Sequence, residues 1–127
     1  MDQTKGQLRL LQRIKFETKI DLFKQWCRDH GINIMEGEAW RTQAVALSYL
    51  KSGVGIADSK HCHGIARDLW IMDSNGNPIF SFKKDDQWDI LYKKMADQWI
   101  IMGERSGYYF SNRFDPYHFE LKEDYVK

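Results

Sequence analysis

The chain has 127 residues, 43% hydrophobic and 14% aromatic, which suits one domain spanning residues 1–127 and leaves no room for a second core. Nineteen Lys and Arg against 18 Asp and Glu leave a net charge of +1, so no charge-driven grip on nucleic acid is expected. No apolar run approaches the ~18 residues of a membrane span, and the mean hydropathy is −0.62. Cys27 and Cys62 are too few for a disulfide framework or a four-thiolate zinc site. The start, MDQTKGQLRLLQRIK, mixes charge into every turn and does not read as a signal peptide. These features predict a monomer made in a cytoplasm, with its cysteines reduced and no membrane insertion.

Gln7 to His30 reads as one long or two short helices. Leu8, Leu11 and Ile14, then Ile20, Phe23, Trp26 and Cys27, recur at helical spacing, and Gly31 suits a helix end. Ile32 to Met35 is short and β-branched enough for a strand. Thr42 can cap a helix from Gln43 to Ser52, which Gly53 would end. Ile65 to Met72 reads as a strand, and Asn75-Gly76 signals a hairpin into Ile79 to Phe82. Asp85 to Trp99 is amphipathic, with Trp88, Leu91, Tyr92, Met95 and Trp99 on one face, and Phe119 to Tyr125 reads as a last strand. Helices and strands without βαβ alternation predict an α+β domain.

Two segments concentrate the chemistry: Ser59-Lys60-His61-Cys62-His63-Gly64-Ile65-Ala66-Arg67-Asp68 and Asp115-Pro116-Tyr117-His118-Phe119-Glu120. Imidazole and carboxylate are the ligands of catalytic zinc, three from protein with one position left open. On a helix, His61 and Asp68 would lie about 10 Å apart along the axis. On one continuous strand they would be ~23 Å apart and on opposite faces. Only a bend between them brings both to one ion, and Gly64 permits it. Asp68 then shares a strand face with Ala66 and Trp70. Asp115 and His118 converge only if the chain turns near Pro116, whose fixed φ suits a turn. Glu120 follows on the face of His118 and can orient it.

The pattern S-x-H-x-x-G-x-A-x-D, followed by D-x-x-H-F-E and preceded by Arg41-Thr42, resembles the zinc D-alanyl-D-alanine carboxypeptidases and L-alanyl-D-glutamate endopeptidases of peptidoglycan, a group with many phage endolysins. The matching residues are Ser59, His61, Gly64, Ala66 and Asp68, then Asp115, His118, Phe119 and Glu120, and the likeness runs from about Met35 to Leu121. It implies an antiparallel sheet flanked by helices, the hedgehog/DD-peptidase-like fold. It also implies one Zn2+ per chain held by His61, Asp68 and His118, with Asp115 as catalytic carboxylate. By the same resemblance Arg41 holds substrate or a developing oxyanion, and Ser59 lines the site. Two features depart from the family. Arg67 places a charge beside a ligand, and Ser106 to Phe114 replaces a stretch usually rich in glycine and tryptophan, which affects the shape of the cleft.

Each residue also has a plainer reading. Asp115 can cap a turn, Arg41 can be a solvated helix-start residue, and Trp40, Trp70, Tyr108 and Tyr109 can be core or cleft wall. Cys62 and His63 flank His61 but point away from it on extended backbone. Asp73-Ser74-Asn75-Gly76-Asn77 has a calcium-loop look but lacks the distal Glu, which favours a plain turn. The sequence contains no H-E-x-x-H, G-x-S-x-G or G-x-x-x-x-G-K-[ST] motif. Rival readings are an inactive peptidoglycan-binding relative, which would be expected to lack a ligand or the base, a Cys62 hydrolase, and a metal nuclease, which would need a basic face.

The expected activity is zinc-assisted hydrolysis of the peptidoglycan stem peptide, with Asp115 as proton acceptor and Arg41 at the oxyanion or a substrate carboxylate. A chain without an export signal fits a phage lysin better than a wall-maintaining carboxypeptidase. The expected bond is therefore L-alanyl–D-glutamate, cut in the periplasm after release from the host cytoplasm during lysis. D-alanyl-D-alanine trimming is the alternative.

Overall fold

A computed structural model describes residues 3–37, 60–61 and 63–127. The expected Gln43–Ser52 helix, together with Trp40, Arg41, Thr42, Ser59 and Cys62, lies outside the described residues. Helix α1 spans Lys5–Asp29 as a single element. Thr4 and Gln7 form a reciprocal capping box at its start, with contacts of 3.1 and 2.7 Å. Gly31, at φ 70, takes the left-handed turn beyond its end.

Strands β1 (Ile34–Glu36), β2 (Ala66–Ile71), β3 (Arg105–Ser106) and β4 (His118–Glu120) form one antiparallel sheet in the order β1-β2-β4-β3. Helix α2, Gln87–Ile101, precedes β3, and Asp86 caps it by accepting the backbone N–H of Trp88 and Asp89. A short 3-10 turn, Gly107–Tyr109, follows β3.

Side chains alternate across the sheet. Leu69, Ile71 and Phe119 turn to one side and meet Phe16, Ile20, Phe23 and Cys27 of α1 and Tyr92, Met95 and Trp99 of α2. Phe23 anchors this core, with its ring centroid 5.3 Å from Trp99 and 5.0 Å from Phe119. Cys27 is a free thiol inside the core, and burial pushes its pKa up to about 12. The opposite face carries Ala66, Asp68 and Trp70 of β2 with His118 and Glu120 of β4. This is an α+β architecture with the described helices on one face of the sheet. Among the described residues no helix is long and apolar enough to cross a membrane.

Three local expectations change. Leu8, Leu11 and Ile14 are 36%, 46% and 52% exposed, while Gln12 is buried. The C-terminal tail explains this: Gln12 donates to Glu123 and to the carbonyl of Asp124, and accepts from the Val126 amide. A residue with both donor and acceptor matches a strip of backbone better than leucine does.

The Asn75-Gly76 turn forms, with Gly76 at φ 80, but the hairpin does not zip into a strand at Ile79–Phe82. Pairing stops at a Met72–Pro78 bridge and one bond from the Ile79 amide to the Ile71 carbonyl. The Tyr92 hydroxyl takes the next rung, accepting from the Ile71 amide at 2.9 Å and donating to the Ile79 carbonyl at 2.8 Å. Asp73 Oδ1 accepts the amides of Asn75 and Asn77, which makes this segment an ordinary Asx-type turn. The last strand is also shorter than expected, ending at Glu120.

Candidate metal centre

The bend between His61 and Asp68 is built from backbone bonds. The amides of His63 and Ile65 donate to the Lys60 carbonyl, and the Gly64 amide donates to that of His61. Gly64 sits at φ 73, a region that disfavours side chains. The chain thereby doubles back and enters β2 with His61 beside it. On the other side, the His118 amide donates to the Asp115 carbonyl at 3.2 Å, closing a turn across Pro116 and Tyr117. The register of β2 on β4 then sets Asp68 directly opposite His118 and Ala66 opposite Glu120.

Three ligand-type atoms converge. His61 Nε2 lies 3.0 Å from His118 Nδ1. Asp68 Oδ1 lies 3.3 Å from the first and 3.6 Å from the second. Both histidines are buried and Asp68 is nearly so. A tetrahedral ion with bonds of roughly 2.0–2.1 Å places its ligand atoms about 3.3 Å apart, the middle of this set. Among the described residues the cluster is underfilled, because Asp68 Oδ1 is buried without a hydrogen-bond donor from them. The donor set and its spacing fit zinc.

The surroundings define which atoms are free to bind. Glu120 Oε1 holds His118 Nε2 at 2.7 Å, so Nδ1 is the nitrogen turned to the cluster. Glu120 Oε2 in turn accepts from Lys60 Nζ at 2.8 Å. Burial works against charge on His118, but the nearby Asp68 carboxylate and the hydrogen bond to Glu120 outweigh it and push its pKa up to about 9. Burial likewise opposes ionisation of Asp68, yet its contacts with the two imidazoles hold it well below the usual carboxylate range.

Asp115 is half-buried beside this cluster. Burial raises its pKa, the negative charge of Asp68 adds to that rise, and His118 works against it. Its amide donates to the Gly107 carbonyl at 2.9 Å. A Cβ on Gly107 would lie 3.0 Å from the Cβ of both Asp115 and His118, and closer still to the Asp115 carbonyl oxygen. Only glycine allows this approach.

The flanking residues are turned elsewhere. His63 stacks on Tyr125 with centroids 3.7 Å apart, and its carbonyl accepts from Arg13. Arg67 projects to the opposite sheet face, where it meets Glu17 at 2.6 Å and lies 5.4 Å over the Phe16 ring. Its charge therefore belongs to the α1 contact and not to the cluster. Sequence reasoning did not single out Lys60, Gly107 or Phe110 for the site. Lys60 and Gly107 lie inside or next to the motifs, but their contacts depend on strand register, which a motif does not carry. Phe110, with its ring 5.6 Å from that of His118, forms one wall.

No family model matches the chain, and no curated protein matches it. Among solved structures it is similar to the L-Ala D-Glu endopeptidase ChiX of Serratia marcescens, with a TM-score of 0.53 and 20% identity over 71% of this chain and 67% of that one. At this identity the likeness concerns the path of the backbone. The chain has the α+β fold of that peptidase.

Proposed function

We propose that the protein is a zinc-dependent peptidoglycan peptidase that hydrolyses the stem peptide as an L-alanyl-D-glutamate endopeptidase of the phage-lysin type. The observation that carries this reading is the buried His61–Asp68–His118 triangle with Asp115 at its side, on a fold shared with an endopeptidase of that specificity. His61 Nε2, His118 Nδ1 and Asp68 Oδ1 would hold the zinc. When bound, it would supply a Lewis acid for the scissile carbonyl and a water acidified toward pKa ~7.

The remaining work falls to the chain. Asp115 takes the proton of the attacking water and returns it to the leaving amine. A carboxyl with a raised pKa suits both halves of that transfer, since it holds the proton longer than an exposed aspartate. Glu120, neutralised by Lys60, fixes the His118 ring. Phe110 and Trp70 bound the cleft. Arg41 and Ser59 take the oxyanion and substrate roles assigned by resemblance. In this reading the enzyme reaches the wall from the host cytoplasm during lysis.

Purified sacculi, digested with and without a chelator and analysed by mass spectrometry, test this. Chelator-sensitive release of peptides beginning with D-glutamate, leaving N-acetylmuramyl-L-alanine on the glycan, is the expected result. Release of D-alanine alone would assign carboxypeptidase activity, and no product at all would leave only a binding role.

A further inference from the structure

Beyond the metal cluster, at the β3 edge of the sheet, lies a recess of about 430 Å³ whose lining includes Arg105, Lys122, Phe110, Tyr109, Ser111 and Asn112. Such a volume falls within the range of small-ligand sites, roughly 300–1,000 Å³. Its charge is unbalanced. Glu104 also lines it, but that carboxylate is buried, ion-paired with Lys19 and accepting the Lys122 amide. Glu120 nearby is committed to His118 and Lys60. Arg105 reaches Glu120 only at 3.9 Å and is half-exposed, with its guanidinium 5.1 Å over the Phe110 ring. Lys122 makes no ion pair among the described residues. Two cations are left facing the recess.

The recess is continuous with the site. Arg105 pairs in register with Glu120, so both lie on the ligand-bearing face. Phe110 touches both the recess and His118. Among the described residues, Trp70 on the same sheet face as Asp68 meets the exposed Phe80, with ring centroids 4.9 Å apart.

Resting on the peptidase reading above, we propose that Arg105 and Lys122 form a subsite for a carboxylate-bearing residue flanking the cleaved bond. In a stem peptide this is the free α-carboxylate of the γ-linked D-glutamyl residue. A planar guanidinium held over an aromatic ring is preorganised for such a group. The subsite fixes which way the peptide lies across the cluster.

Two synthetic peptides, L-alanyl-γ-D-glutamyl-L-lysine with the glutamyl α-carboxylate free or converted to the carboxamide, test the subsite. Wild-type enzyme should prefer the free carboxylate by about tenfold to a hundredfold. Arg105→Gln/Lys122→Gln should erase most of that preference, with the loss falling on KM. A variant that keeps the preference, or slows both peptides equally, overturns the subsite. Calorimetric titration of the same peptides into zinc-loaded Asp115→Asn protein, with and without the two substitutions, reads binding without turnover. If wild type cleaves neither peptide, the peptidase reading fails, and the titration still decides the subsite. Carboxylate-selective binding lost in the double variant supports it, and absence of selective binding overturns it.

Discussion

Glu120 stands two residues beyond His118 on β4, and its Oε1 meets His118 Nε2 at 2.7 Å. Because strand side chains alternate, this spacing puts both on one face, and Lys60 then closes on the second carboxylate oxygen. The contact fixes both the tautomer of His118 and the nitrogen it offers to a metal. Glu120→Ala should keep the fold but lower zinc affinity by about 10–100-fold, the usual cost of losing such an outer partner. Competition with a chromogenic chelator measures this. An unchanged affinity would mean that β4 alone orients the ring.

The converging atoms predict one zinc per chain. His61→Ala, Asp68→Ala and His118→Ala should each lose it, because two remaining ligands bind far more weakly than three. His63→Ala should retain it, since that ring is stacked on Tyr125. Metal analysis of the purified variants decides this. Stoichiometric zinc in His118→Ala would sink the ligand set.

Much of this site was readable in the chain because its geometry is local. The Gly64 bend and the turn at Pro116 are signals of a few residues, and the i, i+2 relation of His118 to Glu120 follows from strand periodicity. What could not be read depends on distant pairings. Gln12 is buried because a tail more than 100 residues away supplies its partners. The second hairpin arm fails because Tyr92, on a helix, occupies its rung. Arg67 looked out of place beside a ligand until α1 supplied Glu17 on the far face. The four-stranded order β1-β2-β4-β3 brings His118 beside Asp68 across 50 residues, and no local pattern encodes that pairing.

Gly107 gives a structural test of how Asp115 is held. Gly107→Ala drives a methyl into the Asp115 carbonyl and against His118. The turn must shift, at a cost of about 1–3 kcal/mol in stability and with Asp115 displaced. Hydrolysis should fall sharply while the helical circular-dichroism signal persists. Wild-type turnover in Gly107→Ala would show that the 3-10 turn can move without disturbing the site.

His118 makes the metal-free protein pH-sensitive. Its folded pKa of about 9 lies above its ordinary value of 6.5. The stability it contributes is therefore fully present below 6.5 and lost as pH rises through about 9. Melting temperatures of the chelated protein should fall over that window. Zinc requires the neutral ring, so binding at pH 7 should release about one proton. Calorimetry in buffers of different ionisation enthalpy reads that number, and a value of zero would mean His118 is uncharged in the metal-free state.

Asp115 separates chemistry from binding. Asp115→Asn removes the proposed proton acceptor but none of the three converging groups, so zinc should remain while hydrolysis falls by about 10²–10⁴-fold. The same substitution has an opposite effect on stability. A carboxyl whose folded pKa is raised stabilises the protein below its unfolded pKa, and that contribution is lost as pH rises through the folded value. Above the unfolded carboxyl's range the half-buried Asp115 therefore costs stability, a cost asparagine does not carry. Metal-free Asp115→Asn should melt above wild type at pH 7, with the difference shrinking near pH 3, where both side chains are neutral. Activity that survives in Asp115→Asn would reject Asp115 as the base. A melting temperature below wild type at pH 7 would show instead that the carboxylate is held by favourable contacts.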